Sequence, residues 1–143
     1  VLWNIALDPQ GGPVEAPNSG CRRCSGVVTV NQATHAVSYG AKYYQMGQVS
    51  KFVQPGAVRV NSNSFVTYTT SGPTSAFSVS AGIDDVAVQN PDGSQVLVAN
   101  NTSPTAIAFA VSWQGQAFTY TLPARATITF APSPGTDIAH GER

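Results

Sequence analysis

The stretch "DDVAVQNPDGSQVLVAN", residues 84–100, decides how the rest of the chain is read. Two apolar runs flank "NPDGS". Pro91 stands at the second position of a turn, and Gly93 supplies the positive φ that closes a hairpin through a small bulge. Working outward, "AIAFAVSWQGQAFTYTL" (106–122) reads as a second hairpin turning at Gln114–Gly115–Gln116, and "ARATITFA" (124–131) as a further strand. Upstream, "AVRVNS" (57–62) sets Val58 and Val60 against Arg59, the period-2 pattern of a half-buried strand. "SFVTYTT" (64–70) opposes Phe65, Thr67 and Thr69 to Val66, Tyr68 and Thr70, and "GVVTVN" (Gly26–Asn31) is a strand of β-branched residues.

Two segments depart from this pattern. "GAKYYQMGQVSKFVQPG" (40–56) places Tyr43, Met46 and Val53 at helical spacing, which predicts a core-facing helix starting near Gly40 and stopping before Pro55–Gly56. "VLWNIAL" (1–7) is an apolar run of the kind buried on both faces of a sheet, and it breaks at a Pro/Gly-rich corner. The fold class that follows is mainly β: an antiparallel β-sandwich of roughly seven or eight strands with one α-helix near residues 40–53. Three parts are expected: residues 1–56 (strand, Cys-containing loop, strand and helix packed on the sandwich), the sandwich at 57–131, and a flexible tail at 132–143.

Composition narrows function. Charged residues are 10% of the 143, with fourteen Ser and thirteen Thr in their place, as in many secreted β-domains. Seven basic residues balance seven acidic ones, so there is no basic stripe to release phosphate counterions, and a nucleic-acid partner is excluded. The apolar runs are far too short for a helical span of a bilayer, so no membrane partner is expected either. Any leader peptide lies outside this chain.

The two cysteines, Cys21 and Cys24 in "CRRC", admit three readings. Zinc would need two more ligands, and only His35 and His140 are available, so no metal site is expected. A redox motif expects a strand before it and a helix start at the first Cys, whereas "PNSGCRRCSGVV" is a loop entering a strand. A disulfide closing a small loop is favoured over free thiols, and it implies an oxidising, extracellular setting.

"WNIALDPQGGP", "GCRRCSGVVTVN", "YYQMGQVSKFVQPGAVRV", "VAVQNPDGSQVLVANNTS" and "FTYTLPARATITF" resemble, in that order, the C-terminal part of family 30 glycoside hydrolases, the glucosylceramidase and β-1,6-glucanase group. The resemblance covers most of residues 1–131 and lapses at about 61–82. It implies that Val1–Leu7 is the last strand of a catalytic (β/α)₈ barrel, that the "YY…G…SKF" segment is the helix after it, and that the rest is the β-sandwich. The histidine of the family's "G-H-F-S-K-F" is here Gln48. The family's two catalytic glutamates belong to earlier barrel strands, before the part matched.

The residues themselves point the same way. A retaining glycosidase needs two carboxyl groups about 5–5.5 Å apart. The glutamates are Glu15 and Glu142, one in a Pro/Gly loop and one in the tail. Asp84 and Asp85 are adjacent on a strand, so their side chains point to opposite faces. Asp8 and Asp92 sit in turns, where Asp ordinarily bonds its own backbone. No nucleophile elbow accompanies His35 or His140. Independent catalysis is therefore not expected, and no cofactor is implied.

Binding remains. Sugars stack C–H faces on aromatic rings while amides and carboxylates take their hydroxyls. The candidate sugar-binding residues are Trp3, Asn4, Trp113, Tyr68 and Tyr120, each with core packing as its ordinary alternative; Tyr43, on the helix stripe, reads as core. Three functions follow: a carbohydrate-binding sandwich taking plant or microbial polysaccharide (β-glucan or xylan), a structural fragment of a family 30 hydrolase whose barrel is absent from this chain, or an assembly module forming a homodimer through the N-terminal strand. A secreted location fits the first.

Overall fold

The computed structural model describes residues 4–13, 25–71, 76–113 and 115–131. Eleven strands and one α-helix follow in chain order among them: β1 (Ala6–Leu7), β2 (Val28–Val30), β3 (Val37–Tyr39), α1 (Ala41–Ser50), β4 (Val58–Val60), β5 (Tyr68–Ser71), β6 (Ala76–Val79), β7 (Ile83–Gln89), β8 (Gln95–Asn101), β9 (Ile107–Trp113), β10 (Gln116–Leu122) and β11 (Thr127–Phe130). The mainly β, single-helix expectation holds. The chain divides into two compact units, residues 1–47 and 48–143.

In the first unit β1 pairs in parallel with β2 (Ala6↔Val28), and β2 pairs antiparallel with β3 (Val28↔Tyr39, Val30↔Val37). Asp8 ends β1: its Oδ1 accepts the N–H groups of Gln10 (2.9 Å) and Gly12 (2.7 Å), the local backbone role expected of it. Asn31 closes β2 onto β3 in the same way, taking the N–H groups of Ala33 and Thr34. A strand buried on both faces is not seen among the described residues of this run. Ile5 is 76% exposed and Ala6 is exposed as well, while Leu7, at the end of β1, is 7% exposed.

In the second unit the order is β11–β8–β7–β4, all antiparallel, with β9–β10 and β5–β6 as separate two-stranded sheets. The opening stretch forms the centre of it. Gln89 faces Gln95 across Asn90–Ser94, the Gly93 N–H bonds the Asn90 carbonyl (2.9 Å), and Gly93 has φ +83°, a conformation costly for any side chain with a Cβ. The second hairpin forms as expected but is tighter: Gln116, read as part of the turn, is already paired with Trp113 in β10.

Strand β8 is buried on both faces: Val96 and Val98 on one, Ala99 and Asn101 on the other. That explains why "QVLVA" reads as a continuous apolar run rather than an alternation. The core joins Ile83, Ala99 and Leu122, with Ile107, Phe109, Ala126 and Ile128 packed against them. Leu122 is 2% exposed, a burial that contributes about 1.5–3 kcal/mol.

Three expectations are corrected here. Val58, read as half-buried with Val60, is exposed, because the three-residue edge strand β4 pairs it with Gln89, at the opposite end of β7 from core residue Ile83. The regular strand in 64–70 begins only at Tyr68, since the Thr67 N–H bonds the Ser80 hydroxyl (2.8 Å) instead of a backbone carbonyl. The helix ends at Ser50, before the Pro55–Gly56 stop, and none of its residues is buried; Tyr43 and Met46 are both exposed.

The early helix end has a specific cause. The Val49 carbonyl receives both Phe52 and Val53 N–H groups, and the Asn90 side chain takes over from there. Its Oδ1 accepts the Gln54 N–H (2.9 Å), and its Nδ2 donates to the Phe52 carbonyl (2.9 Å) and to Ser94 Oγ (3.0 Å). One buried amide thus satisfies orphaned groups at the helix end and inside the hairpin turn.

Candidate functional site

The five sugar-binding candidates fall in different places. Trp3 lies outside the described residues, as do Cys21 and Cys24. Asn4 belongs to the first unit, half-buried just before β1. Trp113 and Tyr120 are brought to one face of the β9–β10 hairpin, and Tyr68 sits on β5, in another sheet.

The hairpin face follows from alternation and register. Ile107, Phe109, Val111 and Trp113 share it with their cross-strand partners Leu122, Tyr120, Phe118 and Gln116. Its Leu122–Ile107 end belongs to the core, and exposure rises toward the turn. Midway, the Phe130 ring meets Phe109 (6.2 Å), Tyr120 (5.6 Å) and Phe118 (5.2 Å) edge-to-face, with Phe109 also against Tyr120 (6.4 Å). Such pairs fix ring orientations as well as burying area. Tyr120 belongs to this ring cluster and is still 37% exposed, while Trp113, 45% exposed at the outer end, presents an indole to solvent. Gln116 stands directly across from it, an amide within reach of anything stacked on the ring.

Sequence reasoning missed Phe109, Phe118 and Phe130 as a unit. The shared face of the first two follows from the pairing of Gln116 with Trp113, one residue off the three-residue turn read from the sequence. Phe130 was not legible, because its approach depends on how the β9–β10 hairpin packs on β11.

Tyr68 has polar company. The neighbouring Asp84 carboxylate first, then desolvation and the negative charges of Asp84 and Asp85, hold its phenol above the ordinary pKa. Ser64 Oγ donates to Asp84 Oδ1 (3.3 Å). Asp85 points to the opposite face, as expected, and its Oδ1 is buried with no hydrogen-bond partner. Asp92 performs the local turn role read from the sequence: Oδ1 accepts the Ser94 N–H (2.9 Å) and Oδ2 the Gln54 Nε2–H (2.6 Å). The bonds to Ser94 and Gln54 hold this carboxyl below its ordinary range.

Gln48, standing where the resembled motif has histidine, is tied to the sandwich. Thr129 Oγ1 lies 2.8 Å from its carbonyl oxygen and 2.7 Å from Oε1. Among the described residues, no group of three or more His, Cys, Asp or Glu is placed to hold a metal ion, and no helix is long and apolar enough to cross a membrane.

With this geometry in hand, similarity to known proteins is informative. The glycosyl hydrolase family 30 beta sandwich domain matches residues 56–130. An endo-1,6-β-D-glucanase of Aspergillus fumigatus is 32% identical over 129 residues, 90% of this chain and 24% of that protein. Lysosomal acid glucosylceramidase of Mus musculus is 29% identical over 110 residues, 77% of this chain and 18% of that protein. Among solved structures, an endo-β1,6-glucanase superposes with a TM-score of 0.61 at 26% identity, over 89% of this chain and 25% of its own. SrfJ from Salmonella typhimurium superposes with a TM-score of 0.64 at 22% identity, over 87% of this chain and 24% of its own, a likeness of fold. The chain spans about a quarter of the length of the fungal relatives it matches.

Proposed function

Because the chain belongs to the glycosyl hydrolase family 30 beta sandwich domain family, we propose that it is a non-catalytic carbohydrate-binding module whose ligand is a β-glucan. The observation that carries this reading is the outer end of the β9–β10 hairpin. There an exposed indole, Trp113, is held beside Gln116 on a face stiffened by interlocked rings. A rigid aromatic plate with an adjacent amide suits the stacked, hydroxyl-rich face of a glucose unit. The names of the relatives favour a 1,6-linked glucan over xylan. A secreted location accompanies such a polymeric ligand.

The test is affinity electrophoresis through gels containing β-1,6-glucan or xylan. Retardation in the glucan gel, abolished by Trp113→Ala, is expected; equal mobility in glucan-containing and blank gels rejects the reading.

A second reading has its own observation. In the first unit Tyr39, Tyr43, Tyr44 and Met46 are all exposed, a band of apolar surface on β3 and α1. In this reading the chain is part of a longer family 30 hydrolase, and the band seats against the remainder. Hydrogen exchange at Ala41–Ser50 should slow when the remainder is supplied; unchanged exchange counts against it.

A further inference from the structure

The β9–β10 hairpin exposes more rings than one sugar unit needs. Four side chains of its ring-bearing face are exposed: Trp113 and Gln116 beside the turn, then Phe118 and Tyr120 along β10. Phe118 is the most open of the three rings at 48%, although it is apolar throughout. The opposite face of the same hairpin carries only Ala, Ser and Thr, so the rings are gathered on one side.

Their spacing makes a track. Gln116, Phe118 and Tyr120 alternate onto one face, which sets Tyr120 about 14 Å along the strand from the Trp113–Gln116 pair. Phe130 meets Phe118 at 5.2 Å and Tyr120 at 5.6 Å, both edge-to-face. Two of the three rings are therefore fixed before anything binds, which lowers the ordering cost of binding. The outer end is open: a Cβ on Gly115 would meet nothing within 4 Å, so a polymer can continue past the turn.

Size and charge select the occupant. The track is about 14 Å long and two strands, about 10 Å, wide, far short of the roughly 800 Å² that each partner of a stable dimer contributes. No residue in 107–122 carries a charge, and the polar groups on the track are the Gln116 amide and the Tyr120 hydroxyl. A narrow, uncharged chain with apolar ring faces and hydroxyl edges fits such a strip, and a neutral glycan has that character.

We propose that Trp113, Phe118 and Tyr120 contact consecutive sugar units of one glucan chain, with Phe118 as a second stacking platform. The proposal rests on the glucan reading at Trp113 and extends it to the length of ligand recognised.

The full chain is titrated calorimetrically with a β-1,6-linked glucose disaccharide and with the corresponding tetrasaccharide. The tetrasaccharide should bind at least about fivefold more tightly. Phe118→Leu keeps an apolar side chain against Phe130 but removes the ring, and should bring tetrasaccharide affinity down to that of the disaccharide; thermal melts confirm that the variant is folded. Equal affinity for the two lengths, or a folded Phe118→Leu that binds the tetrasaccharide as wild type does, overturns the track and leaves the Trp113 reading standing. Light scattering is read on the same samples, and a dimer dissolved by Phe118→Leu would assign the strip to a second copy and overturn the track as well. Binding of neither oligomer overturns both readings.

Discussion

Asn101 carries more of the sandwich than its residue type suggests. It is 0% exposed, its Nδ2 donates among the carbonyls of Thr105 (2.8 Å), Pro123 (3.0 Å) and Leu122 (3.1 Å), and its Oδ1 accepts the Ser103 N–H (2.9 Å). It ties the end of β8 to both ends of the β9–β10 hairpin. Asn101→Ala strands buried carbonyls and one N–H, and should cost about 2–3 kcal/mol in urea unfolding. Asn101→Asp should cost more, because it sets an acceptor against three carbonyl oxygens. A loss below about 0.5 kcal/mol for the alanine variant would show that water replaces these bonds. Little of this was legible: "NNTS" reads as two overlapping glycosylation sequons, and the partners of Asn101 are up to 22 residues away. The turn bonds of Asp8 and Asp92 were legible, because they close within four residues, whereas the Gln54–Asp92 bond, 38 residues apart, was not.

At the scale of elements, local chemistry succeeded and distant chemistry did not. Both β7–β8 and β9–β10 hairpins were readable, since proline, glycine and alternation act within a few residues. The end of α1 was not, because Asn90 caps it from 36–38 positions further along the chain. Removing that amide in Asn90→Ala should shorten protection of the Phe52–Gln54 backbone in hydrogen exchange and destabilise the unit by about 2 kcal/mol. Gly93→Ala forces a Cβ into φ +83° and should cost about 1 kcal/mol in thermal or urea unfolding.

The Asp92 turn carries a pH signature. Its carboxyl is held below the ordinary value, so its bonds contribute stability above the unfolded-state value near pH 4 and lose it as pH falls through the lower folded-state value. The melting-temperature gap between wild type and Asp92→Asn should therefore shrink on acidification below about pH 4. A gap that widens there would contradict the assignment.

For the whole molecule, five ordered motifs made the family visible, and the sandwich class followed from strand periodicity alone. The face carrying a ligand was not visible, since Trp113, Tyr120 and Tyr68 have equivalent sequence signals. Packing separates them: Tyr120 belongs to the ring cluster around Phe130, Tyr68 to the separate β5–β6 sheet, and Trp113 to the open end of the hairpin. Exposure of the α1 stripe was equally hidden, because helical spacing specifies a face and not what covers it.

The central claim is that this sandwich binds glucan by itself through Trp113, and isothermal titration of the chain with a β-1,6-linked gluco-oligosaccharide addresses it most directly. Saturable binding is predicted, weakened at least about tenfold by Trp113→Ala with the melting temperature preserved. Absence of heat with the wild-type chain, or the same affinity in folded Trp113→Ala, would contradict it.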